Sequence, residues 1–147
     1  MQLIKDAKVT LCKSTVAAGT SGIIDATVID MLDYEGVLFI ASFGAITSGA
    51  VTKLKAAALA TSSPTATTDD LEGSSTDVPD TADDTVVVLD IYKPTLRYIR
   101  PCVSRATQNS VLNSIIAIQY GPKKKPVTQA ASVTTTTVLV SPINGTA

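Results

Sequence analysis

Short apolar runs, some alternating and some continuous, recur along the chain between polar or glycine-containing breaks. Ala7, Val9 and Leu11 alternate with Lys8, Thr10 and Cys12, the period of two of a half-buried strand. Residues 17–22 form a small-residue turn, 26–31 a weaker strand, and 33–36 a second turn. Val37, Leu38, Phe39, Ile40 and Ala41 are continuous and apolar, which predicts a central strand covered on both faces. Residues 51–60 have the Ala and Leu content of a helix. Yet Leu54, Ala56, Ala58 and Ala60 alternate with Lys53, Lys55, Ala57 and Leu59, and the neighbouring segments are strands, so a strand is the consistent reading.

The stretch TVVVLDIYKPTLRYIRPCVSR, residues 85–105, reads as strand, turn, strand, with Pro94 in the turn because it cannot donate to a ladder. This predicts a β-hairpin at the centre of a sheet. Residues 111–120 supply a last core strand. Residues 61–84 are rich in Ser, Thr, Asp and Pro and exceed an ordinary connection, so they read as a functional or mobile acidic surface loop. Beyond Gly121 the chain becomes Thr-, Ser- and Ala-rich, with one β-prone patch at 134–140. Unaided, that tail cannot offset ~1–2 kcal/mol per residue of backbone ordering. The expected architecture is all-β: a jelly-roll-like β-sandwich over residues 1–121, followed by an extended segment, 122–147, that is either a disordered tail or an arm that orders on a neighbour. Val9, Leu11, Leu38, Ile40, Val86, Val88, Ile99, Ile116 and Ile118 are the expected core.

Composition supports a real but aliphatic core: hydrophobic residues are 45%, aromatics 4%, and Trp is absent. The formal net charge of -1 argues against nucleic acid as a general partner. Charge is nevertheless segregated. Every charged residue from Asp69 to Asp90 is acidic, and every one from Lys93 to Lys125 is basic. Such asymmetry either orients the molecule on a charged surface or belongs to a solvated loop beside ordinary surface cations. Cys12 and Cys102 lie inside apolar patterns and read as two reduced core thiols in preference to a disulfide. No signal peptide is evident in MQLIKDAKVTL, and no apolar run approaches the ~20 residues of a membrane helix.

The inventory for catalysis is thin. The chain has no histidine, which removes Ser-His-Asp and Cys-His arrangements and His-ligated zinc. Two distant cysteines are not a zinc site by spacing. The segment FGAITSG, residues 43–49, lacks the Lys of a phosphate loop. Asp69, Asp70 and Glu72, or Asp77, Asp80, Asp83 and Asp84, offer hard oxygen ligands without the spacing of an EF-hand, and a solvated acidic loop is the simpler reading. No cofactor and no enzymatic activity are expected. Arg97, Arg100 and Arg105, on or beside one strand, are candidates for pairing with acidic groups of a partner protein. Lys123, Lys124 and Lys125 join them as candidate contacts, although the run is short and lacks aromatic interleaving.

The string VVVLDIYKPTLRYIRPCVSRATQNSVLNSIIAIQYGPKKKPV resembles a small protein of tailed bacteriophages similar to capsid decoration, or cement, proteins. IKDAKVTL and DMLDYEGVLFIASFGAITSGAVTKLKA fit as well, so the likeness runs over about residues 4 to 127, weakest in the 61–84 loop. The resemblance implies a β-rich virion structural protein, often trimeric, on the outer capsid surface. Its partners would be the major capsid protein and further copies of itself, with no nucleic acid and no membrane involved. A head-tail connector or tail component is the alternative in the same class, and a carbohydrate- or receptor-binding β-sandwich is one from another class.

Overall fold

A computed structural model, which describes residues 2–19, 22–49, 52–81, 83–105, 109–140 and 145, packs two antiparallel sheets into a β-sandwich. A single helical turn, α1 (Leu3–Asp6), precedes the strands β1 (Lys8–Lys13), β2 (Ile23–Asp25), β3 (Ile29–Asp30), β4 (Gly36–Ile46) and β5 (Thr52–Leu59). They are followed by β6 (Thr76–Val78), β7 (Val86–Tyr92), β8 (Tyr98–Ser104) and β9 (Ser110–Tyr120). The first sheet has the order β1-β9-β4-β7; the second runs β2-β8-β5-β6, with β3 also paired to β8. β2 and β3 lie along the same partner and act as one interrupted strand. The pairs β1·β9, β2/β3·β8, β4·β7 and β5·β6 are then nested one inside the next, which is the pairing of a jelly roll.

The core lies between the sheets. From β4 come Val37, Phe39, Ala41 and Phe43, and from β9 Leu112, Ile115 and Ala117. The second sheet answers with Leu54, Ala56, Ala58, Ile99 and Val103. The buried Gln119 side chain tethers the layers: its Nε2 donates to the Asp30 carbonyl at 2.8 Å. The Thr27 amide, in the break between β2 and β3, donates to the Cys12 carbonyl at 2.9 Å and makes a second tether.

Several expectations change. Residues 85–105 are not a hairpin. β7 is the edge of the first sheet and β8 is interior to the second, so residues 93–97 cross between layers. Lys93 takes φ 50° at the start of that corner. A short break between two apolar runs suits a hairpin and a crossover equally well, and the nested pairing selects the crossover. The weak strand at 26–31 is shifted and split into β2 and β3. Residues 51–60 do form a strand, β5, with Val51 outside the described residues. The acidic loop is anchored for much of its length. Ala58 N and Leu71 N bond Asp69 O and Ala56 O along the β5 edge, and β6 pairs with the start of the same strand.

The largest change is in parity. Of the nine residues expected in the core, Ile99 is buried, whereas Val9, Leu38, Ile40, Ile116 and Ile118 are half-buried and Leu11, Val86 and Val88 are exposed. All eight belong to the first sheet. Its strands carry apolar residues at both parities, and the bulky Phe39 and Phe43 decide which parity turns inward. Adjacent isoleucines test this. Ile115→Ala should cost about 2–5 kcal/mol, since its site is fully enclosed. Ile116→Ala should cost less than half as much in urea unfolding. Equal costs would contradict the inward assignment of Ile115.

Candidate interaction surface

The two outer faces of the sandwich differ in chemistry. On the second sheet the outward positions of β5 and β8 include Lys53, Lys55 and Arg100, and each meets an acid: Lys53 with Asp77 at 3.0 Å, Lys55 with Asp70, and Arg100 with Asp25 at 3.6 Å. Arg97, just before β8, makes a two-pronged contact with Asp30 through Nε and Nη2, at 2.8 and 2.7 Å, and lies over the Tyr98 ring. The guanidinium hydrogen bonds hold the Asp30 carboxyl below the usual carboxylate range.

The six basic candidates therefore do not converge. Arg97 and Arg100 are engaged as above. Arg105 is buried and donates Nη2 to the Ala17 carbonyl at 2.9 Å. Lys123 reaches the Leu32 carbonyl at 3.0 Å, and Lys125 pairs with Asp6 at 2.8 Å. Lys124 alone of the six has no polar partner among the described residues. Most acids of the loop are likewise spent on its own fold. Asp69 accepts from Thr65 N, Asp80 from Gly49 N and Asp83 from Ile46 N. Local satisfaction of this kind explains the charge segregation: acids of the loop cap neighbouring turns and meet lysines of β5. Among the described residues no three Cys, Asp or Glu side chains converge as a metal site, and no helix is long and apolar enough to cross a membrane.

The outer face of the first sheet is the opposite. Cross-strand register puts Leu11, Ile116, Ile40 and Val88 in one row over β1, β9, β4 and β7. The next row is Val9, Ile118, Leu38 and Asp90. Three strand spacings make this surface about 14 Å wide. One end is closed by Tyr92 and Tyr120, stacked with centroids 6.5 Å apart across Gly36. The Tyr120 hydroxyl donates to Asp90 at 2.7 Å, and Lys93 lies over the Tyr92 ring. Sequence reasoning missed this face. Its signal is the apolar run at both parities in three strands that turn out to be neighbours, of which one parity must face outward.

The C-terminal arm runs beside this face along the free edge of β1. Gln129 accepts from Val9 N at 2.8 Å and donates to the Ile4 and Ala7 carbonyls, while the Ser132 hydroxyl accepts from Leu11 N at 3.0 Å. The first part of the arm is thus ordered on its own domain. Residues 141–144 and 146–147 lie outside the described residues. Cys12 and Cys102 are free and buried, and burial pushes their thiols up to about 12 and about 11.

Gly36 offers a test of the face. A Cβ there would come within 2.3 Å of the Tyr120 ring, so Gly36→Ala must displace the ring, at a cost of about 1–3 kcal/mol. Burial and then the Asp90 bond push the Tyr120 hydroxyl up to about 12, from an ordinary value of 10.0. The neutral phenol is the favoured form, so its contribution to stability is complete below about pH 10 and is lost as pH rises through about 12. In Gly36→Ala this tyrosine should titrate closer to 10 by ultraviolet absorbance. An unchanged titration would show that the stack does not depend on the glycine.

No family model matches this chain, and no curated protein sequence matches it.

Proposed function

We propose that this chain is a virion structural protein that decorates a tailed-phage capsid, with the major capsid protein as its partner and a homotrimer as its working form. It would bridge neighbouring capsid subunits on the outer surface of the virion. The sequence resemblance supplies the word capsid. The single structural observation that carries the reading is the contiguous apolar outer face of the first sheet, built from Leu11, Leu38, Ile40, Val88, Ile116 and Ile118. Large exposed apolar patches on a soluble fold mark interaction surfaces. The ion-paired face of the second sheet is the natural solvent side, since its charges are already matched.

Two consequences follow for binding. With five of the six basic candidates engaged inside the fold, affinity should come from apolar contact and persist at about 1 M salt, where exposed charges are screened within ~3 Å. Ile116→Glu and Val88→Lys, both on the outer face, should weaken capsid binding by roughly 100-fold while the circular dichroism of the folded protein is retained. Binding that collapses in salt, or that ignores both substitutions, would move the contact elsewhere. The functional test is to strip the protein from heads and heat them. Stripped heads as resistant as intact ones would remove the stabilising role. Mass spectrometry of purified virions fixes the copy number, and about six or twelve per particle would replace decoration with a connector role.

A further inference from the structure

We infer that β7 is an acceptor edge: residues 133–140 of a second copy add to it as an extra strand, linking copies by exchanged arms. The inference rests on the self-association in the reading above and requires no capsid.

The acceptor is an unprotected edge. β7 reads VVVLDIY and pairs with β4 alone among the described residues. Thr85 accepts from Phe43 N and Lys93 donates to Glu35 O, so the odd positions of this strand address β4. By the period of two, the N–H and C=O groups of Val86, Val88, Asp90 and Tyr92 face away from β4. Val86, Val88 and Tyr92 are 59%, 49% and 59% exposed. Natural sheets usually blunt such an edge with charge, Pro or a bulge; β7 has no Pro, Lys or bulge, and its one charge, Asp90, is engaged by the Tyr120 hydroxyl. Beside it runs a groove of about 340 Å³ between Leu89–Tyr92 on one side and the turn at Leu71, Gly73 and Ser74 on the other.

The donor is the segment VTTTTVLV. It is β-branched at seven of eight positions, uncharged, and without strand structure in its own fold. Val138, Leu139 and Val140 are 40%, 69% and 83% exposed. Added beside β7, Val138 and Val140 would extend the apolar rows begun by Val86 and Val88, and Leu139 would point into the groove beside Leu71. Main-chain bonds would supply affinity and these alternating side chains the specificity, as in other strand additions. The absence of charge on the donor suits a groove that contains Glu72 and Asp90.

The arrangement favours a neighbouring copy as the source. The arm makes its last hydrogen bond to the domain at Ser132, on the β1 edge, while β7 is the opposite edge about 14 Å away across the sheet. Crossing its own face would consume about four of the eight residues, at ~3.3 Å each, before pairing began. A second copy docked β1 edge to β7 edge receives the arm at once. The contact is heterologous, and repetition about a rotation axis closes a ring.

The test uses purified protein. The full chain should sediment as an oligomer. A chain ending at Ser132 should dissociate at least ~100-fold more readily and capture a fluorescent peptide of residues 133–140. Val88→Pro removes an outward N–H without touching the β4 ladder, a substitution edge strands tolerate. It should weaken peptide capture at least tenfold with circular dichroism unchanged. An oligomer that survives arm deletion, including one formed by β7 against β7, would overturn the proposal. So would a monomeric full chain whose truncated form still captures the peptide, since the arm would then be filling its own edge. Because no capsid is present, failure here leaves the decoration role standing, and failure of capsid binding leaves arm exchange standing.

Discussion

Phe39 and Phe43 have to be inside. They are the only two phenylalanines in the chain, both lie on β4, and both are fully buried. β4 is interior to its sheet, between β9 and β7, so its parity is passed to its neighbours residue by residue. A slip of one residue would turn every side chain of a strand to the other face. Once the rings face inward, Ile115, Ala117 and Gln119 must do so as well, and Leu38, Ile40, Ile116 and Ile118 must face out. The exposed apolar face is therefore the geometric remainder of a core decision made by two side chains.

The charged half of the molecule solves a different problem. Surface ion pairs contribute little to stability, but each one removes a charge from circulation. On the second sheet the lysines of β5 and the arginines near β8 are matched by acids of the loop or of β2 and β3. What remains presents little net field and little apolar surface. The result is a sandwich with one ion-paired face and one apolar face, on a chain whose overall charge of -1 gives no hint of the difference.

The fold class was legible because turns and apolar runs alternate at short spacing throughout the chain. Even β5 could be recognised against its helical Ala and Leu content, from the alternation of Leu54, Ala56 and Ala58 with the lysines. Sheet membership was not legible. The residues 93–97 that join β7 to β8 look like any short turn, and only the nesting of distant pairs shows that the chain changes layer there. Nor was parity, since Val86, Val87, Val88 and Leu89 are equally apolar and nothing local chooses among them. The basic candidates were identifiable as residues but not as a group. Arg105 is buried, Arg97 and Arg100 are bound to acids far away in sequence, and no spacing rule announces those partners.

The nested pairing also sets an order in time. β1 pairs with β9, joining residues such as Val9 and Ile118 from opposite ends of the domain. Contacts of such long sequence separation close slowly, because the loop entropy precedes any reward. During synthesis the N-terminal strands emerge first, yet the strand that sits between β1 and β4 ends at Tyr120 and is made last of all. The complete apolar face therefore cannot exist on a nascent chain. It comes into being only when the domain is whole, so this apolar surface is never displayed on a half-made sheet.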